Sequence, residues 1–159
     1  MQNRERPEFA QCMCNREFSW LKFNERVLEQ SACAEFPLLE RLKFLSIFTT
    51  NLDEFYMVRV GSLVDSLQFA PDERENKTGL TPAQQLSGIF ERSRPLYALR
   101  DQRFAAVMGA LAGRGVELSA VAALDEQQQK KLEKLFVRSV LPLLSPQIID
   151  SRHPFPHMN

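Results

Sequence analysis

One run of 34 residues, FPLLERLKFLSIFTTNLDEFYMVRVGSLVDSLQF from Phe36 to Phe69, restricts the fold more than any other part of the chain. Its residues Leu38, Leu42, Leu45, Leu52, Tyr56, Val60, Leu63 and Leu67 step by threes, fours and one seven. That spacing stacks side chains on one face of a helix. Leu38 and Leu67 are 29 residues apart, and eight helical turns need about 29. The run therefore predicts one helix of about eight turns with a core-facing stripe.

The opposite face is also apolar in part. Asn51 lies away from the stripe, flanked by Phe44, Ile47, Phe48, Phe55 and Val58 at neighbouring helical offsets. A helix of this kind is covered on two sides. The second cover is another helix, another domain or a planar ligand, and more of the same core is the ordinary case for an aromatic stripe.

Length and charge bound the alternatives. A chain of 159 residues holds one good core, or one domain and the start of another. With 20 basic and 20 acidic residues, no field of one sign favours nucleic acid or an anionic membrane. The N-terminal MQNRERPEF lacks an apolar signal region, and no run approaches a membrane span, so a soluble, unexported protein is expected. Cys12, Cys14 and Cys33 form no disulfide framework and are expected as free thiols. Cys12 and Cys14 with His153 and His157 would make four zinc ligands, but the pairs lie about 140 residues apart, which matches no common structural site. No metal site is expected.

Taken in order, residues 1–14 carry little pattern and are expected to fray. Ser19 reads as the N-cap of a first helix, with Phe18 and Phe23 placed as a hydrophobic staple, and that helix runs to about Ser31. Asn24 sits inside its apolar face and, if buried, must tie the helix to another backbone segment. Pro37 suits the first position of the long helix, and the short connection predicts that helices one and two pack as an antiparallel hairpin. The charged stretch 71–79 reads as a solvated loop.

Thr81-Pro82-Ala83-Gln84 is a capping box opening a third helix. Leu86, Phe90, Tyr97, Phe104, Val107 and Leu111 are spaced for its core face, and the glycines of 112–115 end it. Pro95 predicts a kink near 91–95, or two helices end to end. Residues 115–118 resemble a short strand, Asp125 with Gln128 caps a fourth helix bearing Leu132, Leu135 and Phe136, and Pro142 stops it. The expected fold is all-α, an antiparallel bundle of long helices over 1–114, followed over 115–159 by the opening strand and helix of a second, α+β domain cut short.

Chemistry is hard to find. There is no phosphate-binding glycine loop, no nucleophile elbow and no histidine beside a carboxylate or thiol that would activate it. Asp53 and Glu54 are adjacent on a helix and point about 100° apart, a poor acid–base pair. Ion pairs with Arg26 or Arg59 suit them better. No catalytic residue is expected.

NREFSWLKFNERVLEQ (15–30), PLLERLKFLSIFTTNLDEFYMVRVGSL (37–63) and LLSPQIIDSRHPFPHMN (143–159) resemble, in order and spacing, the N-terminal part of the polyphosphate kinases that work through a phosphohistidine. The resemblance implies a large cytoplasmic enzyme, at most peripheral to a membrane. It moves the ATP γ-phosphate reversibly onto polyphosphate with magnesium, and assembles as a dimer or higher oligomer. It places the phosphorylated histidine and metal-associated arginines beyond Asn159, and makes this region one wall of the ATP site. The asparagine before L-D-E-F is the family's nucleotide contact, which carries over to Asn51. His153 and His157 fall in the family's head domain and read as structural. Thr49 and Thr50 depart from the family pattern, as does Met158. The competing expectation is a free-standing helical module whose second apolar face docks a partner helix.

Overall fold

The computed structural model describes residues 12–156. The expected fraying over residues 1–11 and the placements of His157 and Met158 lie outside them. The chain divides into two compact units, one reaching to Glu117 and one beginning at Leu118.

In the first unit, helix α1 spans Arg16–Gln30. Its N-cap is Asn15, whose Oδ1 accepts from the backbone N–H groups of Glu17 at 3.0 Å and Phe18 at 3.3 Å. Ser19 therefore lies inside the helix rather than capping it, and Phe23, 47% exposed, forms no staple. Asn15 prevails because its Nδ2 also donates to Gln85 Oε1, 3.0 Å away and buried, fixing the helix start against the third long helix. At the other end, Ser31 closes α1 through Leu28 O, and Arg41 Nε donates to Ser31 O at 2.6 Å. A terminal carbonyl with no helical partner is thus satisfied.

Helix α2 spans Leu38–Glu54 with Pro37 as its N-cap, continues through a π-helical segment at Phe55–Val60, and runs on as α3, Gly61–Phe69. The helical path is unbroken, as the periodicity predicts. The π segment changes its register, because each i→i+5 turn takes up extra residues. Phe55 and Val60, five apart, are consequently both buried, and the buried line runs Leu45, Phe48, Leu52, Phe55, Val60. Phe48 and Phe55, expected on the second face, are core. Leu67, expected in the stripe, is 38% exposed. The cover on that second face is α1. Contacts between Ser31 and Arg41, Asn24 and Phe48, and Trp20 and Phe55 pair ever earlier residues of α1 with ever later ones of α2, so the hairpin is antiparallel.

Helix α4, Pro82–Ala112, opens with the expected capping box: Thr81 Oγ1 accepts from Gln84 N, and Gln84 Oε1 accepts from Thr81 N. It is one helix through Pro95, not two. Pro95 is exposed, so the carbonyl it leaves without a helical donor is on the solvent side. The core face is Leu86, Ile89, Ser93, Leu96, Val107 and Leu111, while Phe90 and Phe104 are 48% and 40% exposed. Helices α1, α2 and α4 pack together around this cluster, each buried large side chain contributing about 1.5–3 kcal/mol. In the loop before α4, Glu75 accepts from the Lys77 and Thr78 N–H groups and from Thr78 Oγ1.

The second unit holds helix α5, Glu126–Leu135, capped by Asp125 and Gln128 as expected and followed by a π segment, Phe136–Val140, and a 3₁₀ turn, Leu141–Leu143. Residues 116–120 pair with no strand among the described residues.

Candidate functional site

The antiparallel α1–α2 hairpin brings two asparagines together, Asn24 from the middle of α1 and Asn51 from the last turn of α2. Asn24 is fully buried. Its Nδ2 donates to Phe48 O at 3.0 Å, and its Oδ1 accepts from Asn51 Nδ2 at 3.1 Å. The sequence predicted that Asn24 ties α1 to another backbone segment; that segment is α2.

The chemistry of the partners fixes both amides. The Phe48 carbonyl only accepts, so Asn24 must turn its Nδ2 toward it and leave its Oδ1 facing Asn51. Asn51 must then offer Nδ2 in turn. Its own Oδ1 accepts no hydrogen bond among the described residues. No buried side-chain polar atom among them lacks a partner, so this oxygen lies on the accessible side of a half-buried residue.

One turn before Asn24 on α1 and one turn after Asn51 on the second helix, Trp20 stacks on Phe55, with Tyr56 edge-on to Phe55 at 5.9 Å and stacked in turn on Phe90 at 6.3 Å. Burial of Phe48 and Phe55 removes them as surfaces for a ligand ring, a correction to the apolar surround expected of Asn51. Ile47, one turn before Asn51, and Val58, in the π segment, are exposed apolar side chains of the same helical path. That segment begins four residues after Asn51, and such insertions are frequent at functional sites.

Arg59 pairs with Glu17 at 3.8 Å, where Arg16 also binds at 2.9 Å, rather than with Asp53 or Glu54. Burial, with Tyr56 and Asp53 close by, raises the Tyr97 phenol above its ordinary range despite Arg100. In the second unit, His153 Nδ1 lies 3.0 Å from Asp150 Oδ1 in an exposed turn, so this histidine does stand beside a carboxylate, contrary to the sequence expectation. The Arg152 N–H, followed by the His153 ring and N–H, holds the Asp150 carboxyl below its usual range. Cys12, Cys14 and Cys33 are unbonded. Among the described residues no three His, Cys, Asp or Glu side chains cluster as metal ligands.

Among the described residues, two depressions can be outlined that are not lined by Asn51. One of about 390 Å³ lies between α2 and α4, bounded by Leu42, Ser46, Thr49, Arg100 and Phe104. The other, about 630 Å³, lies along α5 in the second unit. No described helix is long and apolar enough to cross a membrane.

The pairing of Asn24 with Asn51 was present in the sequence only as two separate amides on apolar faces. Counting outward from the turn between two antiparallel helices would have matched them. The Asn15–Gln85 bond, spanning 70 residues, left no local signal.

Residues 13–119 match the family described as the polyphosphate kinase N-terminal domain. A polyphosphate kinase of Halalkalibacterium halodurans is 46% identical over 143 residues, covering 89% of this chain and 20% of that protein. One of Bacillus cereus is 45% identical with the same coverage, and one of Exiguobacterium sibiricum is 42% identical over 153 residues, 96% of this chain and 21% of that protein. The chain spans about a fifth of the length of the curated relatives it matches.

Proposed function

This chain belongs to the polyphosphate kinase N-terminal domain family, and from that premise we propose that it supplies one wall of the ATP site of a longer enzyme that moves the γ-phosphate reversibly onto polyphosphate. Residues 1–114 form the helical domain and 115–159 begin the head domain. The catalytic histidine, the covalent phosphate it carries and the polyphosphate contacts belong to other domains, and the enzyme works in the cytoplasm as a dimer or higher oligomer. The described residues do not fit a magnesium site, since they hold no acidic cluster, and no step of this wall's work runs through the ion.

Asn51 carries the reading. It sits on a helix surface with its amide held from behind by Asn24 and its Oδ1 accepting from no described residue, which is what contact with a polar purine edge requires. An open wall, not an enclosed cavity, is the form one side of a shared pocket takes. The face on which a free-standing module would dock a partner helix is covered by α1 at Phe48 and Phe55.

The test is a steady-state assay of the full-length enzyme with ATP varied. Asn51→Ala is expected to weaken apparent ATP affinity about tenfold, the size of one lost hydrogen bond. An active variant with unchanged affinity removes Asn51 from the site. The 159-residue chain alone is expected to make no polyphosphate, and any ATP-dependent chain growth by it overturns the placement of the chemistry.

A further inference from the structure

We infer that Asn24 is a positioning residue that holds Asn51 with its carbonyl oxygen outward, and that this orientation selects nucleotides with a 6-amino purine over those with a 6-oxo purine. The inference rests on the reading of Asn51 as a nucleotide contact.

An unrestrained asparagine cannot make that choice. Its amide rotates by half a turn to offer oxygen to an exocyclic amine or NH₂ to a ring carbonyl. Here the half-turn would set Asn51 Oδ1 against Asn24 Oδ1 and lose the 3.1 Å bond. Asn24 cannot turn to accommodate it, because the Phe48 carbonyl at 3.0 Å admits only a donor and the side chain is fully buried. A buried acceptor left without its donor is costly. The backbone carbonyl of Phe48 thus sets Asn24, and Asn24 sets Asn51. The outward oxygen accepts from the amine of adenine, whereas hypoxanthine or guanine would place oxygen against oxygen.

The experiment compares ATP with inosine triphosphate, each varied as the phosphate donor for the full-length enzyme. Wild type is expected to favour ATP in kcat/KM by about tenfold, the value of one discriminating hydrogen bond. Asn24→Ala is expected to bring the ratio toward parity. Asn24→Asp is expected to restore it, because a buried carboxyl kept neutral donates its O–H to Phe48 O and accepts from Asn51 through its other oxygen. A wild type without preference, or a folded Asn24→Ala enzyme with the wild-type ratio, overturns the inference. If Asn24→Ala does not fold, loss of the ratio in a folded Asn24→Asp enzyme overturns it and retention supports it. Should Asn51→Ala weaken ATP while Asn24→Ala leaves the ratio intact, the nucleotide contact stands and the positioning role falls. Should Asn51→Ala leave ATP affinity unchanged, both fall.

Discussion

The rings of Trp20 and Phe55 lie 4.3 Å apart and 7° from parallel, one helical turn from the Asn24–Asn51 bond. The aromatic pair and the amide pair are successive layers of one α1–α2 seam. Trp20 is the only tryptophan, so its emission reports on that seam. Phe55 is 2% exposed, and Phe55→Ala is expected to destabilise the 159-residue chain by about 3–5 kcal/mol through the cavity it leaves. Urea unfolding followed by Trp20 emission measures this. A loss under about 1 kcal/mol would mean the seam collapses onto the space and the stack contributes little.

Helix α1 comes close to α4 at Gly88. A Cβ there would fall within contact distance of Phe18 Cζ, 2.8 Å from Cε1 and 3.0 Å from Arg92 Nη1. The ring cannot swing freely, because the Arg92 guanidinium lies over it at 4.0 Å and is itself held by Gly88 O. Gly88→Ala gains about 1 kcal/mol of helix propensity, and overpacking costs about 1–3 kcal/mol. A net loss is expected, recovered when Phe18→Leu is added. Chemical denaturation of the two single variants and the double variant gives the coupling, and additive effects would show that the ring is not what the methyl meets.

What the sequence made legible was whatever local chemistry decides. The Thr81–Gln84 and Asp125–Gln128 boxes each need only four adjacent residues. Burial of an amide on an apolar face forces a partner, which is why Asn24 announced a tie to another segment. Where two local signals compete, tertiary contact decides. Asn15 and Ser19 are both good caps, and the Gln85 bond selects Asn15. Periodicity misplaced Phe55 and Leu67 because a fixed angular step cannot represent a π segment, and it misplaced Phe48, before that segment, because it cannot tell that α1 covers the second face. It failed on α4 because Phe90 and Ile89 are neighbours in sequence, and only the position of α1 and α2 tells which faces in. For the candidate site, Asn51 was found through family resemblance, and its orientation only through the Asn24–Phe48 geometry.

The loop before α4 is expected to weaken in acid. Burial tends to raise the Glu75 carboxyl, but hydrogen bonds from Thr78 Oγ1 and from the Thr78 and Lys77 N–H groups outweigh it and hold it below the usual range. A carboxyl lowered in the folded state binds fewer protons there than in the unfolded chain. Its contribution is present above the ordinary carboxylate range and is lost as pH falls through the folded value. The melting temperature of wild type should therefore drop more steeply than that of Glu75→Gln between neutral pH and the acid limb. Parallel pH profiles would show that the clasp contributes nothing to stability.

Pro95 gives the sharpest test of the first unit's architecture. An interior proline lacks the N–H that would bond to Glu91 O and crowds the preceding turn, at a cost of about 3 kcal/mol relative to alanine. Helix α4 nevertheless runs unbroken from Pro82 to Ala112, with Pro95 exposed between the buried Ser93 and Leu96. If the surrounding packing carries that cost, Pro95→Ala restores the bond without disturbing any buried side chain and should stabilise the chain by about 1–3 kcal/mol. If the proline instead bends α4 so that Leu86 and Ile89 at one end and Val107 and Leu111 at the other meet the same two helices, straightening pulls one group away and the change destabilises. Thermal and urea denaturation of Pro95→Ala decide between these by sign alone. The unbroken helix and the exposed position of Pro95 favour stabilisation.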